Sequence, residues 1–418
     1  MSDVRITIHA CHSTKSKIRT AFNIETWCPE VSSKASRKTI LNDKKGILAL
    51  DPSCSFKDEL EFGDNLRKAI KNVKSTRLLD KVKAGNRLID YSKTVNRVLF
   101  AGMGGSAIAG DLVRDWLDAE ISIPIESIRG YHLPAYVDEG TLVFLISYSG
   151  NTEETLSCML DALGKGCMIV SISSDGALAR ASNALGLPLI GLPGMAAARV
   201  SFPYLFAPIP YVLAKLELLP YEKVDKELTE ATRMIDKLTK EYAIEIPLEK
   251  NFAKKAALQI LGTVPIIYSY RPYRSTGLRF KTQVNENCKL PARCDFFPEL
   301  NHNEIMGWEA STKILKHYTL VLLRSQDEPE EIRTRIETLK QRFFEKRAKS
   351  TLEIWPQGET LLTRMLHLFF TGDMISLYLS VLHRRDPVAS QTFKILKYEV
   401  TEQLRTLDRL EQQILRFA

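Results

Sequence analysis

The chain has 418 residues, 44% of them apolar, 26% charged and 8% aromatic, which is enough for two to three domains with real cores. A net charge of +8 draws anions. Yet no block of five or more basic residues and no aromatic–basic interleaving occurs, which sets aside a dedicated nucleic-acid binder in favour of phosphorylated small molecules. Seven cysteines, at 11, 28, 54, 158, 167, 288 and 294, form no CxxC pair. They predict reduced thiols and a cytoplasmic protein. No secretory segment opens the chain, and no apolar stretch reads as the ~20 residues a bilayer span requires.

Residues 1–56 start with the alternating segment Arg5 to Ala10 and then turn rich in Ser, Thr and Lys. They read as an N-terminal extension without chemistry, including the His9, Cys11 and His12 group. Helical periodicity sets in near Asp58, with Leu60, Leu66, Ala69, Ile70 and Val73 on one face. A second helix is predicted over 77–92. An α/β alternation follows: strand 98–101, helix 107–118, strand 142–146, helix 153–164, strand 168–171, helix 176–184 and strand 187–191. An apolar helix over 204–218 closes this half, and a charged amphipathic helix over 221–243 connects it to the next.

The second half repeats the plan. Strands are predicted at 264–268, 292–297, 319–323 and 351–354, with helices at 303–315, 328–347, 359–382 and 401–417, and Glu286 is expected in a loop beyond strand 264–268. The expected division is an extension (1–56) and two parallel α/β units (57–220 and 221–418).

Two turns in the first half carry anion chemistry. "VLFAGMGGSAIAGD" is a strand, a glycine-rich turn containing Gly105 and Ser106, and a helix start. Glycines allow tight backbone approach, and a helix N-terminus offers free N–H groups and a positive dipole end. The turn lacks the Lys-Ser/Thr of a nucleotide-triphosphate loop and the acidic partner of a dinucleotide fold. In "LISYSGNTEET", Ser147, Ser149 and Thr152 surround one helix N-terminus. An N-cap needs one hydroxyl; three, with backbone amides, suit a phosphate monoester.

"GGSAIAGD" and "SYSGNTEET" resemble the two loops of sugar isomerase (SIS) domains, which bind phosphosugars. "KTQVNENCK" (281–289) with "PELNHNE" (298–304) resembles the bifunctional phosphoglucose/phosphomannose isomerases, built from two SIS subdomains, over about residues 60–400. The resemblance implies a flavodoxin-like parallel fold in tandem, with Ser106, Ser147, Ser149 and Thr152 as phosphate ligands. It also implies Glu286 as the base, His302 as the ring-opening group, Arg199 as the enediolate partner with Arg279 as a second candidate, and Lys397 as the C-terminal lysine with Lys394 as fallback.

The implied reaction moves a carbonyl between C1 and C2 of a hexose 6-phosphate. A single carboxylate above a planar cis-enediol can take and return the proton. Arginine suits the developing oxyanion. Histidine takes up and releases protons near neutrality. The family's histidine comes from the neighbouring subunit, so the resemblance implies a homodimer; it implies no metal and no cofactor. Mannose activity goes with a threonine near the C-terminal lysine, and the nearest hydroxyls here are Ser390 and Thr392. Two other readings are carried. One is another SIS phosphosugar enzyme of the glucosamine-6-phosphate synthase kind, which would need a longer amidotransferase segment than residues 1–60 and a cysteine where Ser2 stands. The other is a non-catalytic phosphosugar sensor, which would need a DNA-binding helix-turn-helix and would have no reason to keep Glu286 with His302.

Overall fold

The computed structural model describes residues 34–76, 80–195 and 197–418. The expected strand at 5–10 and the His9, Cys11 and His12 group lie outside the described residues. The later part of the extension is built into the fold. Helices α1 (Lys34–Asn42), α2 (Lys44–Ala49) and α3 (Ser55–Leu60) precede α4 (Phe62–Ser75), and Leu41, Ile47 and Phe56 are fully buried. Asp51 holds the start of α3, accepting from Ser55 N at 2.9 Å and Phe56 N at 2.8 Å.

The helix expected over 77–92 is instead a hairpin, β1 (Lys81–Ala84) with β2 (Arg87–Asp90), paired antiparallel. Gly85 has φ 57°, a left-handed turn that a helix cannot absorb, and Val82, Ala84 and Ile89 face inward at strand spacing.

The first sheet is all parallel. Strand β3 (Arg97–Gly102) leads into α5 (Gly104–Leu117), then β4 (Ile125–Ile128), β5 (Thr141–Ile146), α6 (Glu153–Lys165), β6 (Met168–Ser173), α7 (Gly176–Ala184) and β7 (Leu189–Gly191), in spatial order β4-β3-β5-β6-β7. The inner strands β5 and β6 are buried at every residue, as expected of a sheet covered on both faces. Strand β4 escaped the sequence reading because it is a four-residue edge strand with polar members. Two proline-started helices, α8 (Phe202–Phe206) and α9 (Pro208–Lys215), replace the single helix expected over 204–218. Helices α10 (Tyr221–Glu241) and α11 (Phe252–Ile260) lead on to the second sheet.

That sheet is built from β8 (Val264–Tyr270), α12 (Arg274–Cys288), β9 (Arg293–Phe297), α13 (Thr312–Leu315), β10 (Tyr318–Leu323), α14 (Glu330–Leu339), α15 (Glu345–Arg347) and β11 (Ser350–Ile354). Its order, β11-β10-β8-β9, repeats the β6-β5-β3-β4 order of the first. The halves are therefore topological copies. The helix expected over 303–315 breaks into short turns because Asn303 (φ −145°, ψ −67°) and Ala310 leave helical geometry, and Ser311 starts α13 afresh.

Helix α16 (Leu361–Leu382) corrects the expectation about apolar stretches. It is 22 residues long, with hydropathy of 1.5 and every residue of its most apolar stretch buried. By length and composition it could cross a membrane. Here it is the central core helix, packed against α10, α11 and α12. Its buried Asp373 is paired, as a core charge must be. Helix α17 (Gln391–Leu404) leaves this core, and α18 (Thr406–Leu415) returns to the first half. There Leu410 and Ile414 pack down and Glu411 accepts two hydrogen bonds from Arg180.

Candidate active site

The two glycine- and hydroxyl-bearing turns meet at the C-terminal edge of the first sheet, the ligand edge of open α/β folds. Helix α5 starts at Gly104, earlier than expected, so Gly105 and Ser106 occupy its first turn. The Tyr148 N–H donates to Ser106 Oγ at 3.3 Å, which ties one turn to the other. In the second turn the Ser147 and Thr152 hydroxyls bond each other at 2.8 Å. Thr152 stands at the N-cap of α6 without using its side chain as a cap. Ser149 is exposed, and its hydroxyl accepts from Asn151 N at 3.3 Å. The α6 N-terminus therefore keeps its donors for a ligand.

Gly150 makes this turn possible. Its φ is 66°, and a Cβ there would lie 1.7 Å from the Asp175 carbonyl oxygen. The Tyr148 hydroxyl accepts from Met195 N (2.6 Å) and donates to Met195 O (2.9 Å), anchoring the segment that leads to Arg199. Gly105 lies against the Ala198–Arg199 backbone, where an added Cβ would sit 3.5 Å from Arg199 Cα.

Arg199 is 9% exposed and reaches across to the second half. Its Nε donates to Asn287 Oδ1 (2.7 Å), Nη1 to Glu286 Oε2 (2.9 Å) and Nη2 to Pro387 O (2.5 Å). Burial lowers the guanidinium pKa from its ordinary value, while the Glu286 carboxylate raises it. Asn287 is itself held, donating to Ser376 Oγ at 2.8 Å. The Glu286 side chain stays 42% exposed, so this carboxylate is fixed on one side and open on the other.

Glu286 was expected in a loop beyond the strand. It lies in the last turn of α12, which ends where Lys289 adopts φ 58°. The asparagine-rich run that imitates a loop is a helix end in which both asparagines are held: Asn285 donates to Leu290 O (2.7 Å) and Asn287 accepts from Arg199.

Arg279, the second arginine candidate, serves the first. It is buried, bonded to Asp373 through Nε (3.0 Å) and Nη2 (2.7 Å), and its Nη2 also donates to Arg199 O at 2.8 Å. Glu59 of α3 lies against Asp373. Burial, then the Asp373 charge, raises the Glu59 pKa well above the usual carboxylate range.

His302 lies elsewhere. It is exposed, on a short 3-10 turn (Glu299–His302) just past β9, at the C-terminal edge of the second sheet. Helix α12 starts near that edge and carries Glu286 twelve residues back, about 18 Å along the axis. Among the described residues no hydrogen bond or ion pair joins His302 to Arg199 or Glu286. Glu304 is engaged by Tyr268 and Arg293. Lys397, its fallback Lys394 and Thr392 all stand on the exposed stretch of α17, and Ser390, half-buried, comes just before it.

Among the described residues, the turn after β10 in the second half does not repeat the anion-suited turn after β5. Strand β10 is the topological copy of β5, but the turn after it is filled by Arg324, 1% exposed. Arg324 is bound by Glu328 (2.7 and 2.9 Å), Glu337 (2.8 Å) and Glu353. A cation already enclosed by three carboxylates offers a phosphate nothing. The sequence reading missed this, as it missed Lys289, whose role depends on a strap more than ninety residues away.

Among the described residues no group of three or more His, Cys, Asp or Glu side chains is placed to hold a metal ion. A surface groove of about 1000 Å³ runs along α10 between Tyr221 and Lys237, apart from these turns.

Comparison with known proteins supplies the family. The model of the bacterial phospho-glucose isomerase C-terminal SIS domain matches residues 249–400. A bifunctional phosphoglucose/phosphomannose isomerase from Caldicellulosiruptor bescii is 36% identical over 312 residues, covering 74% of this chain and 91% of that protein. One from Aquifex aeolicus is 31% identical over 304 residues, covering 72% and 90%. The solved structure of a glucose-6-phosphate isomerase-like protein from Thermus thermophilus superimposes with a TM-score of 0.52 at 16% identity, over 84% of this chain and 98% of that one, a likeness of fold. The chain is a tandem SIS-domain protein and belongs to the bifunctional phosphoglucose/phosphomannose isomerase family.

Proposed function

We propose that this protein interconverts glucose 6-phosphate, and also mannose 6-phosphate, with fructose 6-phosphate through a cis-enediol. The observation that carries the reading is the Arg199–Glu286 contact at 2.9 Å, placed against the Gly105–Ser106 turn. The phosphate is assigned to Ser106, Ser147, Ser149 and Thr152 with the α5 and α6 N-termini. Glu286 removes the proton from C2 of the aldose as electrons move toward the C1 carbonyl oxygen. It then returns that proton to C1 as the C2 hydroxyl proton passes to the C1 oxygen and the C2 oxygen becomes the carbonyl. Arg199 offsets the charge that develops on the enediolate oxygens.

Ring opening is assigned to His302, supplied by a second copy of the chain, with Lys397 assisting. Two features support a homodimer. Within one chain Glu286 lies in the last turn of α12 while His302 follows β9, near the sheet edge where α12 starts, and α17 exposes Phe393, Leu396 and Tyr398. The working division is residues 57–220 and 221–418, acting in cytoplasmic hexose-phosphate metabolism. The steps use acid–base groups of the chain, and no cofactor is assigned to them.

The test is to supply fructose 6-phosphate, with and without a chelator, and to score glucose and mannose 6-phosphates separately. Both products, chelator or not, are expected. Absence of both products without chelator overturns the reading, and loss of activity on chelation with recovery on adding a divalent ion overturns the metal-independent route.

A further inference from the structure

Lys289 ends α12 three residues after Glu286, and its ammonium turns back over the helix end. It donates to Glu286 O at 2.6 Å, Asp386 O at 2.9 Å and Pro387 O at 2.7 Å. An ammonium has three N–H donors, so all are committed and none is left for a sugar. The Pro387 oxygen is shared, because it also accepts from Arg199 Nη2 at 2.5 Å. Two of the three acceptors that orient Arg199, Glu286 and Pro387, therefore belong to residues whose backbone Lys289 grips. Nothing in the sequence marks this, since the strap at 386–387 comes from beyond α16.

We propose that Lys289 is a positioning residue of the isomerase reaction: its ammonium fastens the 386–387 strap to the end of α12 and so fixes the Arg199–Glu286 pair in its working geometry. This rests on the assignment of Glu286 as the base. The charges around the ammonium are Arg199, Asp386 and Glu286, with the Cys288 thiol alongside. Burial, then the Arg199 charge, lowers the Lys289 pKa to about 8, against the opposite pull of Asp386, Cys288 and Glu286. A neutral amine keeps two N–H groups for three carbonyls. The strap then loses one attachment within an ordinary assay range, whereas an arginine at this position stays charged throughout.

The test is the pH dependence of kcat and KM for fructose 6-phosphate in the wild type, Lys289→Met and Lys289→Arg. Lys289→Met is expected to lower kcat ~10–100-fold, the scale of a small misplacement of a reacting group. KM should move less than about threefold, because Lys289 touches no phosphate-binding turn. Lys289→Arg is expected to recover most of kcat at pH 7 and to move the alkaline limb upward from about pH 8. Wild-type kcat in Lys289→Met, or a wild-type alkaline limb in Lys289→Arg, overturns the proposal. Should Lys289→Met fail to fold, the Lys289→Arg profile decides alone. A wild-type protein that does not isomerise the substrate removes the functional reading and this inference together. An active wild type with an unmoved limb in Lys289→Arg removes only the role of Lys289.

Discussion

Arg199 and Glu286 stand 87 residues apart in the chain and 2.9 Å apart in space, and their contact crosses from the first sheet unit to the second. The proposed base thus comes from one half and the turns proposed for phosphate from the other. Helix α12, packed against both α5 and α16, holds that distance.

Phosphate affinity should reside in the Ser147–Thr152 turn. Replacing both by alanine removes hydrogen bonds to a charged group, worth roughly 1.5–3 kcal/mol. KM for fructose 6-phosphate should rise ~10–100-fold, with kcat changed far less. Steady-state kinetics check this, and an unchanged KM would move the phosphate elsewhere.

Gly150→Ala should distort the same turn from the backbone. The added Cβ meets the Asp175 carbonyl and φ is 66°, so strain of ~1–3 kcal/mol is the minimum cost. A lower Tm together with a weaker protective effect of inorganic phosphate is the expected outcome in a thermal melt.

Asp373→Asn should destabilise strongly. Its partner Arg279 has a side chain 2% exposed and would keep a buried charge with no counterion, at a cost of about 3–5 kcal/mol. Urea unfolding measures it. A loss under ~1 kcal/mol would mean that Glu59 ionises in place of Asp373.

Active sites shared between two copies should complement. Glu286→Gln and His302→Ala proteins, each nearly inactive, place one intact Glu286–His302 combination in every mixed dimer. Mixing after mild unfolding should restore on the order of a quarter of wild-type activity. No recovery, with mixed dimers demonstrated, would return His302 to its own chain's site or remove it from the reaction.

The strand–helix alternation and the two glycine- and hydroxyl-bearing turns were legible because burial on both faces leaves continuous apolar runs such as 142–146, and because a glycine at φ 66° and three hydroxyls leave local marks. Glu286 was singled out by its residue pattern but placed in a loop rather than a helix end, since asparagines read as loop formers wherever their partners are distant. Arg279 illustrates the same limit. Its task of holding the Arg199 carbonyl depends on Asp373, ninety-four residues on. The hairpin at 81–90 hid behind a helix-like spacing that only the left-handed Gly85 resolves. Lys397 was chosen by resemblance to the family's C-terminal lysine, whereas Lys289, which touches the candidate base, went unnoticed.

Glu286→Gln followed by solvent deuterium exchange tests the central claim most directly. The amide keeps the side chain's size and its contact with Arg199 but cannot accept a carbon-bound proton. Turnover and deuterium incorporation at C2 of glucose 6-phosphate should fall together by ~10²–10⁴, with substrate binding retained. A Glu286→Gln protein that exchanges the C2 hydrogen at near wild-type rate would contradict the account and send the search for the base to Glu299 or Glu304.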